Sequence, residues 1–297
     1  MSESPLVSIG MPIFNCQDTL AAALRSILMQ TYNNWELFLI DDGSTDQTLQ
    51  LARHFEEPRI HTLSDGARRG LAARLNQAIE LSRGVYFARM DGDDVSYPER
   101  LERQINYLEA HSEIDLVGTA MMVFAENCEI LGKRAGPQTH ADICRRPTGA
   151  FRMFHPTYMG RLAWFRHYRY DVRLTVSQDQ DLLLRAYRTS QFANIPEILL
   201  GYREEKLVLR KILKSRWSFV QAANRYFLRE QRLPLMASMA FIEQGLKTVL
   251  DILAINTGLS YRVLPQRAQP SYDEAEMKKW RRIWSLVNQD LDVMKTR

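Results

Sequence analysis

Cysteine is scarce in this sequence: its 297 residues include only Cys16, Cys128 and Cys144. Odd in number, widely spaced and without a CxxC pair, they indicate neither a disulfide framework nor a thiolate zinc site, and a reducing cytoplasm is the expected setting. Long apolar runs are missing too. The longest stretch without a charge, Ser4 to Gln17, is interrupted by proline, so no transmembrane helix is expected. The opening MSESPLVSIG has neither a basic nor an apolar signal region, so no cleaved secretory signal is expected. Glycine-rich phosphate cradles of the GxGxxG or GxxxxGK type are absent, as are a GxSxG elbow and an HExxH helix. Any phosphate chemistry would therefore fall to a metal and to arginines. With 11 Pro, 14 Gly and no internal repeat, collagen-like and low-complexity classes are excluded.

What remains is an ordinary globular balance, 45% apolar and 25% charged, long enough for one large domain or a domain with an extension. The net charge of +4 is unevenly spread. Residues 1–200 hold 21 Lys and Arg against 25 Asp and Glu, whereas residues 201–297 hold 18 against 10. A basic tail on a slightly acidic body suits a surface that meets something anionic; a merely solvated helical face remains the alternative.

The first 95 residues alternate strand-like and helix-like segments. Leu6–Met11, Leu37–Ile40, Arg59–Leu63 and Val85–Met90 read as buried strands. Between them Leu20, Leu24, Ile27 and Leu28, then Leu49, Ala52 and Phe55, then Leu71, Leu75, Ala78 and Ile79, recur at helical spacing. Asp18 or Thr19 is placed to cap the first helix, and Pro98 to open the one carrying Leu101, Ile105 and Leu108. This is the pattern of an α/β protein with a mostly parallel, Rossmann-like sheet flanked by helices, whose ligands bind beyond the carboxyl ends of the strands. Residues 115–135 read as extended, 137–175 as an irregular lobe rich in Arg and aromatics, and the chain beyond Gly201 as helical.

Three acidic clusters stand at informative places. Asp91-Gly92-Asp93-Asp94 follows the fourth strand, and carboxylates so spaced can converge on a hard cation, Mn²⁺ or Mg²⁺. Asp41-Asp42-Gly43-Ser44-Thr45-Asp46 follows the second strand, where an Asp can accept from a base or ribose; for Asp46 a helix cap is the better reading. Asp179 and Asp181, at the start of a helix far along the chain, can supply a general base. Each cluster alone is equally readable as a turn or a helix cap.

Taken in order, these motifs resemble glycosyltransferase family 2. Val7–Asn15, Gln30-Thr31, Glu36-Leu37 leading into Asp41–Asp46, Gly70–Asn76 with Arg74, Asp91–Asp94, and Gln178-Asp179-x-Asp181-Leu182 carry the resemblance over about residues 5–203. It implies a GT-A fold and an inverting transfer from a nucleotide-sugar, commonly a UDP-sugar. It also implies a DxD motif at Asp91 and Asp93 that touches ribose and the metal, with Asp94 sharing the ligation. Pro12, Phe14 and Asp42 correspond to the residues that hold the base, Arg74 to an arginine near the donor, and Asp179 to the catalytic base. Gln178 stands where the family commonly has Glu. Processive members carry QxxRW and transmembrane helices; here Arg216-Trp217 is preceded by Leu213 in place of Gln, so a non-processive enzyme is expected.

These readings divide the chain into a catalytic domain, 1–203, and a basic helical extension, 204–297. From Arg203 to Arg232 nine basic residues are interleaved with Leu207, Leu209, Trp217, Phe219, Tyr226 and Phe227, which suits either a peripheral helix on an anionic membrane or a cap on the catalytic domain. The expected enzyme is cytoplasmic, at the inner face of the plasma membrane, acts on a surface-glycan or lipid-linked acceptor and takes no nucleic acid. A degenerate nucleotide- or glycan-binding module is the alternative that donor turnover would exclude.

Overall fold

The computed structural model describes residues 4–125, 128–204, 209–256 and 272–289. Strand β1 (Val7–Ile13) is buried along its whole length because β2 (Trp35–Asp41) and β4 (Tyr86–Arg89) flank it in parallel and helices cover the sheet. A strand covered on both faces reads as a continuous apolar run, which is how it appears in the sequence. Strand β3 (Ile60–Ser64) extends the parallel set beyond β2. The crossovers are α1 (Leu20–Leu28), α2 (Thr48–His54) and α3 (Leu71–Leu81). Gly10 is where α3 and β4 crowd β1: a Cβ there would lie 2.5 Å from the Phe87 ring and 3.0 Å from Ala78 Cβ.

Beyond β4 the sheet is mixed. Strand β5 (Val95–Ser96) leads into α4 (Arg100–Ala110), which begins two residues after Pro98. Strands β6 (Leu116–Phe124), β7 (Ile130–Arg134) and β8 (Met159–Arg161) follow, with the short α5 (His140–Ile143) between β7 and β8. Next come α6 (Leu162–Tyr168), α7 (Gln178–Ala186) and β9 (Phe192–Arg203). The order across the sheet is β3-β2-β1-β4-β8-β6-β9-β5, with β7 also paired to β6. Strand β8 runs antiparallel to both β4 and β6, while β6 and β9 form a long parallel pair. Strand β9 has no clear signature in the sequence because Pro196-Glu197 interrupts it. Those two residues are exposed and sit where the register jumps from Thr119↔Ile195 to Ala120↔Ile198, a bulge that accommodates a proline without a ladder donor.

After β9 come α8 (Leu209–Asn224), continued by a π-helical turn at Arg225–Glu230, then α9 (Pro234–Asn256) and α10 (Glu274–Asn288). Lys206 and Leu207 of the basic run lie outside the described residues. Phe219, Tyr226 and Phe227 enter the core beside Phe151, Trp164 and Leu182–Leu184. Helix α10 returns to the sheet: Trp280, Ile283 and Val287 pack with Tyr97 and Phe124, and Arg25 donates to the Val287 carbonyl at 3.0 Å. No described helix is long and apolar enough to cross a membrane.

Candidate active site

The loops at the carboxyl ends of β1, β2 and β4 are tied together by their own backbones. Asn15 takes a left-handed conformation, φ 45°, which an Asn side chain tolerates. Its N–H donates to Ser44 Oγ at 3.1 Å, and its Oδ1 accepts from Thr45 N at 2.9 Å. Cys16 N–H donates to Thr48 Oγ1 at 2.8 Å. Thr19 occupies the N-cap of α1 without capping it; its hydroxyl donates instead to the carbonyls of Cys16 and Gly92, the latter at 3.0 Å, which ties the β1 loop to the acidic loop. Asp46 accepts from Thr48 N at 2.9 Å at the start of α2.

A cavity of about 680 Å³ opens between these loops, lined among others by Pro12, Phe14, Asn15, Asp91, Asp93 and Arg203. One carboxylate oxygen from each of Asp91, Asp93 and Asp94 falls within 4.8 Å of the others. Asp91 is ion-paired to Arg89. Asp94 Oδ1 accepts from Arg203 N at 3.0 Å, while its buried Oδ2 has no partner. Burial, then repulsion from Asp91, pushes Asp93 up to about 6; burial and both neighbours push Asp94 well above the usual carboxylate range. Hard oxygen donors, mutual repulsion and an orphaned buried oxygen fit a small divalent cation.

Asp42 and Arg74 pair beside the cavity rather than on its wall. Asp42 Oδ1 accepts from Arg69 N at 2.7 Å, Gly70 N at 3.0 Å and Arg74 Nε at 3.0 Å. Gly70 reaches Asp42 from φ 88°, a conformation that favours glycine. Arg74, almost wholly buried, also meets Asp65 at 2.6 Å and the Ala67 carbonyl. The loop so held carries Arg68, whose guanidinium lies 3.9 Å above the Phe14 ring.

Asp179 stands in the first turn of α7, after Ser177 at φ 59°. Its Oδ2 accepts from Gln180 Nε2 at 2.9 Å, and burial raises its pKa. Gln180 is itself fixed, its Oε1 accepting from Phe151 N at 2.8 Å. Gln178 is buried and donates to the Leu174 carbonyl at 3.1 Å. Asp181 is engaged by Arg185 at 2.9 Å, so of the two α7 carboxylates Asp179 alone lacks a cationic hydrogen-bond partner among the described residues. Gln180 and Ser177 face a second cavity of about 470 Å³, closed on its other side by α8 and α9.

Two arginines complete the site, and the sequence reading names neither as a site residue. Arg89 is buried at the end of β4, paired with Asp91, and its Nε and Nη1 find no acceptor. Its charge acts on both Asp93 and Asp179. It also adds to burial in keeping His155 neutral, and the His155 Nε2 lies 2.9 Å from Tyr170 Oη. An arginine inside the apolar run Tyr86–Met90 was the available signal. Arg203 closes the cavity from the end of β9, its Nε donating to the Asp93 carbonyl at 3.1 Å and its guanidinium set against Phe124 and Trp284.

Comparison with known proteins gives a consistent answer. The family model described as Glycosyl transferase family 2 matches residues 8–169. Over 280 residues, 90% of this chain and 98% of the relative, the sequence is 34% identical to the putative glycosyltransferase EpsE of Bacillus subtilis (strain 168). Over 133 residues, 45% of this chain and 52% of the relative, it is 35% identical to the UDP-Glc:alpha-D-GlcNAc-diphosphoundecaprenol beta-1,3-glucosyltransferase WfgD of Escherichia coli. Among solved structures, S. aureus TarS 1–349 in complex with UDP-GlcNAc superposes with a TM-score of 0.64 at 16% identity, covering 96% of this chain and 81% of that one. That likeness is one of fold, and the fold is of the GT-A type.

Proposed function

Because the chain belongs to glycosyltransferase family 2, we propose that it transfers one sugar from a nucleotide-sugar, in our reading a UDP-sugar, to a lipid-linked or surface-glycan acceptor with inversion at the anomeric carbon. The observation that carries this reading is the converging triad Asp91, Asp93 and Asp94 on a cavity walled by Pro12 and Phe14. Relatives support the substrates: TarS is solved with UDP and with UDP-GlcNAc, and WfgD is named for a UDP-Glc donor and a diphosphoundecaprenol acceptor.

In this scheme Pro12 and Phe14 hold the base, and Asp42 and Arg74 fix the Arg68-bearing loop against it. Asp91, with Asp93 and Asp94, would hold Mn²⁺ or Mg²⁺, which when bound offsets the charge of the diphosphate. Arg203 adds a fixed positive charge at the same wall. Asp179 takes the proton of the acceptor hydroxyl while the hydroxyl oxygen bonds to the anomeric carbon, the sugar–phosphate bond breaks, and the nucleoside diphosphate leaves. One displacement needs one base, whereas a glycosidase needs a carboxyl pair flanking the bond. The reaction adds one sugar per encounter. The two-part division at residues 203 and 204, a cytoplasmic site at the inner face of the plasma membrane, contact with anionic lipid and no role for nucleic acid complete the reading.

Thermal unfolding with nucleoside diphosphates, in Mn²⁺ or in EDTA, tests it. UDP at a hundred times its Kd should stabilise the chain by about 2.7 kcal/mol, in Mn²⁺ only. Asp179→Asn should keep that shift and lose about 10²- to 10⁴-fold in turnover. No shift with any nucleotide would sink the donor assignment, and loss of UDP binding in Asp179→Asn would remove Asp179 from the base role.

A further inference from the structure

Helix α9 is turned inside out for a helix in water. Its acidic residues face the protein: Glu243 accepts from Thr148 Oγ1 at 3.2 Å and pairs with the half-exposed Lys247 at 2.8 Å, and Asp251 pairs with Arg216 at 2.6 Å. Its buried face otherwise carries Ala237, Ala240 and Gln244. Leu235, Met239, Ile242, Leu246, Val249 and Leu250 recur at helical spacing on the other side, and each is more than half exposed. Phe241 is exposed beside them, as are Trp217 on α8 and Leu228 and Leu233 in the turn before α9. A contiguous apolar stripe on a helix about 35 Å long is an interaction surface.

Charge decides what it meets. Among the described residues one flank of the stripe carries the uncharged Ser238 and Gly245, and the other only the half-exposed Lys247, already paired to Glu243, so the stripe lacks the two charged flanks that register helix pairs in water. Among the described residues, the exposed charges on the adjoining elements are mostly basic: Arg210 and Lys214 on α8 and Arg229 and Arg232 before α9, against Glu230. An apolar face with an excess of exposed cations on the elements packed against it, on a helix unable to span a bilayer, fits the surface of an anionic membrane. The stripe also borders the site: Leu250 lines the cavity that holds Gln180, which is hydrogen-bonded to Asp179.

We propose that the outer face of α9 lies in the headgroup region of an anionic lipid bilayer, so that the cavity beside Asp179 opens at the membrane surface. This rests on the membrane-surface reading above and assigns it to α9. The aromatics Phe219, Tyr226 and Phe227 of the preceding basic segment are buried in the core.

The test is flotation of the full chain with vesicles of phosphatidylcholine and phosphatidylglycerol in equal parts, alongside its oligomeric mass. The wild type should float, and Ile242→Glu with Leu246→Glu should lower partitioning at least about a hundredfold while leaving the unfolding midpoint and the UDP shift unchanged. Flotation retained in that variant but lost in Arg210→Glu with Lys214→Glu would overturn the assignment to α9 and leave the membrane reading standing. A wild type that does not float would overturn both. A wild-type dimer that the α9 variant dissociates, without flotation, would give the face to a second copy of the chain instead.

Discussion

Strands β2 and β4 each deliver aspartates to the same edge of the sheet, and the two sets live in opposite electrostatic conditions. At β2, Asp41 accepts from Ser44 N at 3.1 Å and Ser64 Oγ at 2.8 Å, and Asp42 accepts from two backbone amides and from Arg74. The turn after β2 and the end of β3 supply the Asp41 donors, and the loop leading into α3 with that helix's buried Arg74 supplies those of Asp42. At β4 three carboxylates crowd together with Arg89 and Arg203 as nearby cations, one oxygen of Asp94 is left without a partner, and Asp93 holds its proton up to about 6. Similar strand-end aspartates thus do two jobs. Where the fold supplies the donors, the carboxylate fastens a loop; where it does not, charge is left unmet, as the proposed metal site requires.

The comparison breaks most visibly in turnover. Asp93→Asn removes a proposed metal ligand and should lower turnover at least about a hundredfold, because charge stabilisation by a bound metal is worth several kcal/mol. The same change relieves repulsion, so the metal-free protein should unfold at a higher temperature than the wild type. Near-normal turnover in Asp93→Asn would erase the distinction between the two strand ends. Asp42→Ala should show the reverse emphasis. It strips the buried Arg74 of one partner and two backbone amides of their acceptor, and should cost about 3 kcal/mol of stability in urea unfolding. Unchanged stability would make Asp42 a ligand-facing residue and not a fastener.

The β2 end also shows where sequence reading stops. Its two aspartates, its turn and the following helix are legible because strand, turn and helix signals are local. That Asp42 is engaged by Gly70 and Arg74 is not, since those donors arrive from another crossover about thirty residues on. At β4 the acidic triplet is legible as a cluster, but its convergence and its link to Arg203 depend on β9, a strand whose signature Pro196 and Glu197 interrupt. Apolar periodicity marks which residues are buried and not which way neighbouring strands run, so the antiparallel β8 within a sheet read as mostly parallel needed the structure. In the C-terminal part, basic and aromatic residues are visible in the sequence, yet only packing distinguishes the exposed Trp217 from the buried Phe219.

The smallest expected effect is a difference in pH dependence between wild type and Asp93→Asn, both in EDTA. In the folded metal-free protein Asp93 releases its proton near pH 6, against an ordinary 3.8 in the unfolded chain. Between those values the folded state holds more protons, so the Asp93 contribution to stability falls as pH rises from about 4 through about 6. Asp94 and Asp179, also raised, act in the same direction. His140 and His155, whose pKa values are lowered, act oppositely: their share of stability grows as pH climbs towards about 6.5. The wild-type curve alone therefore mixes both signs, and the difference between the two proteins removes the histidine and Asp179 contributions, leaving Asp93 together with the repulsion it exerts on Asp94. That difference should widen in favour of Asp93→Asn from about pH 4 to about pH 6, the relief of Asp94 adding in the same direction. Saturating Mn²⁺ should remove it or reverse it, because a ligated carboxylate is held ionised. A difference that stayed flat across this range would mean that the acidic loop bears its charge as comfortably as the β2 end does.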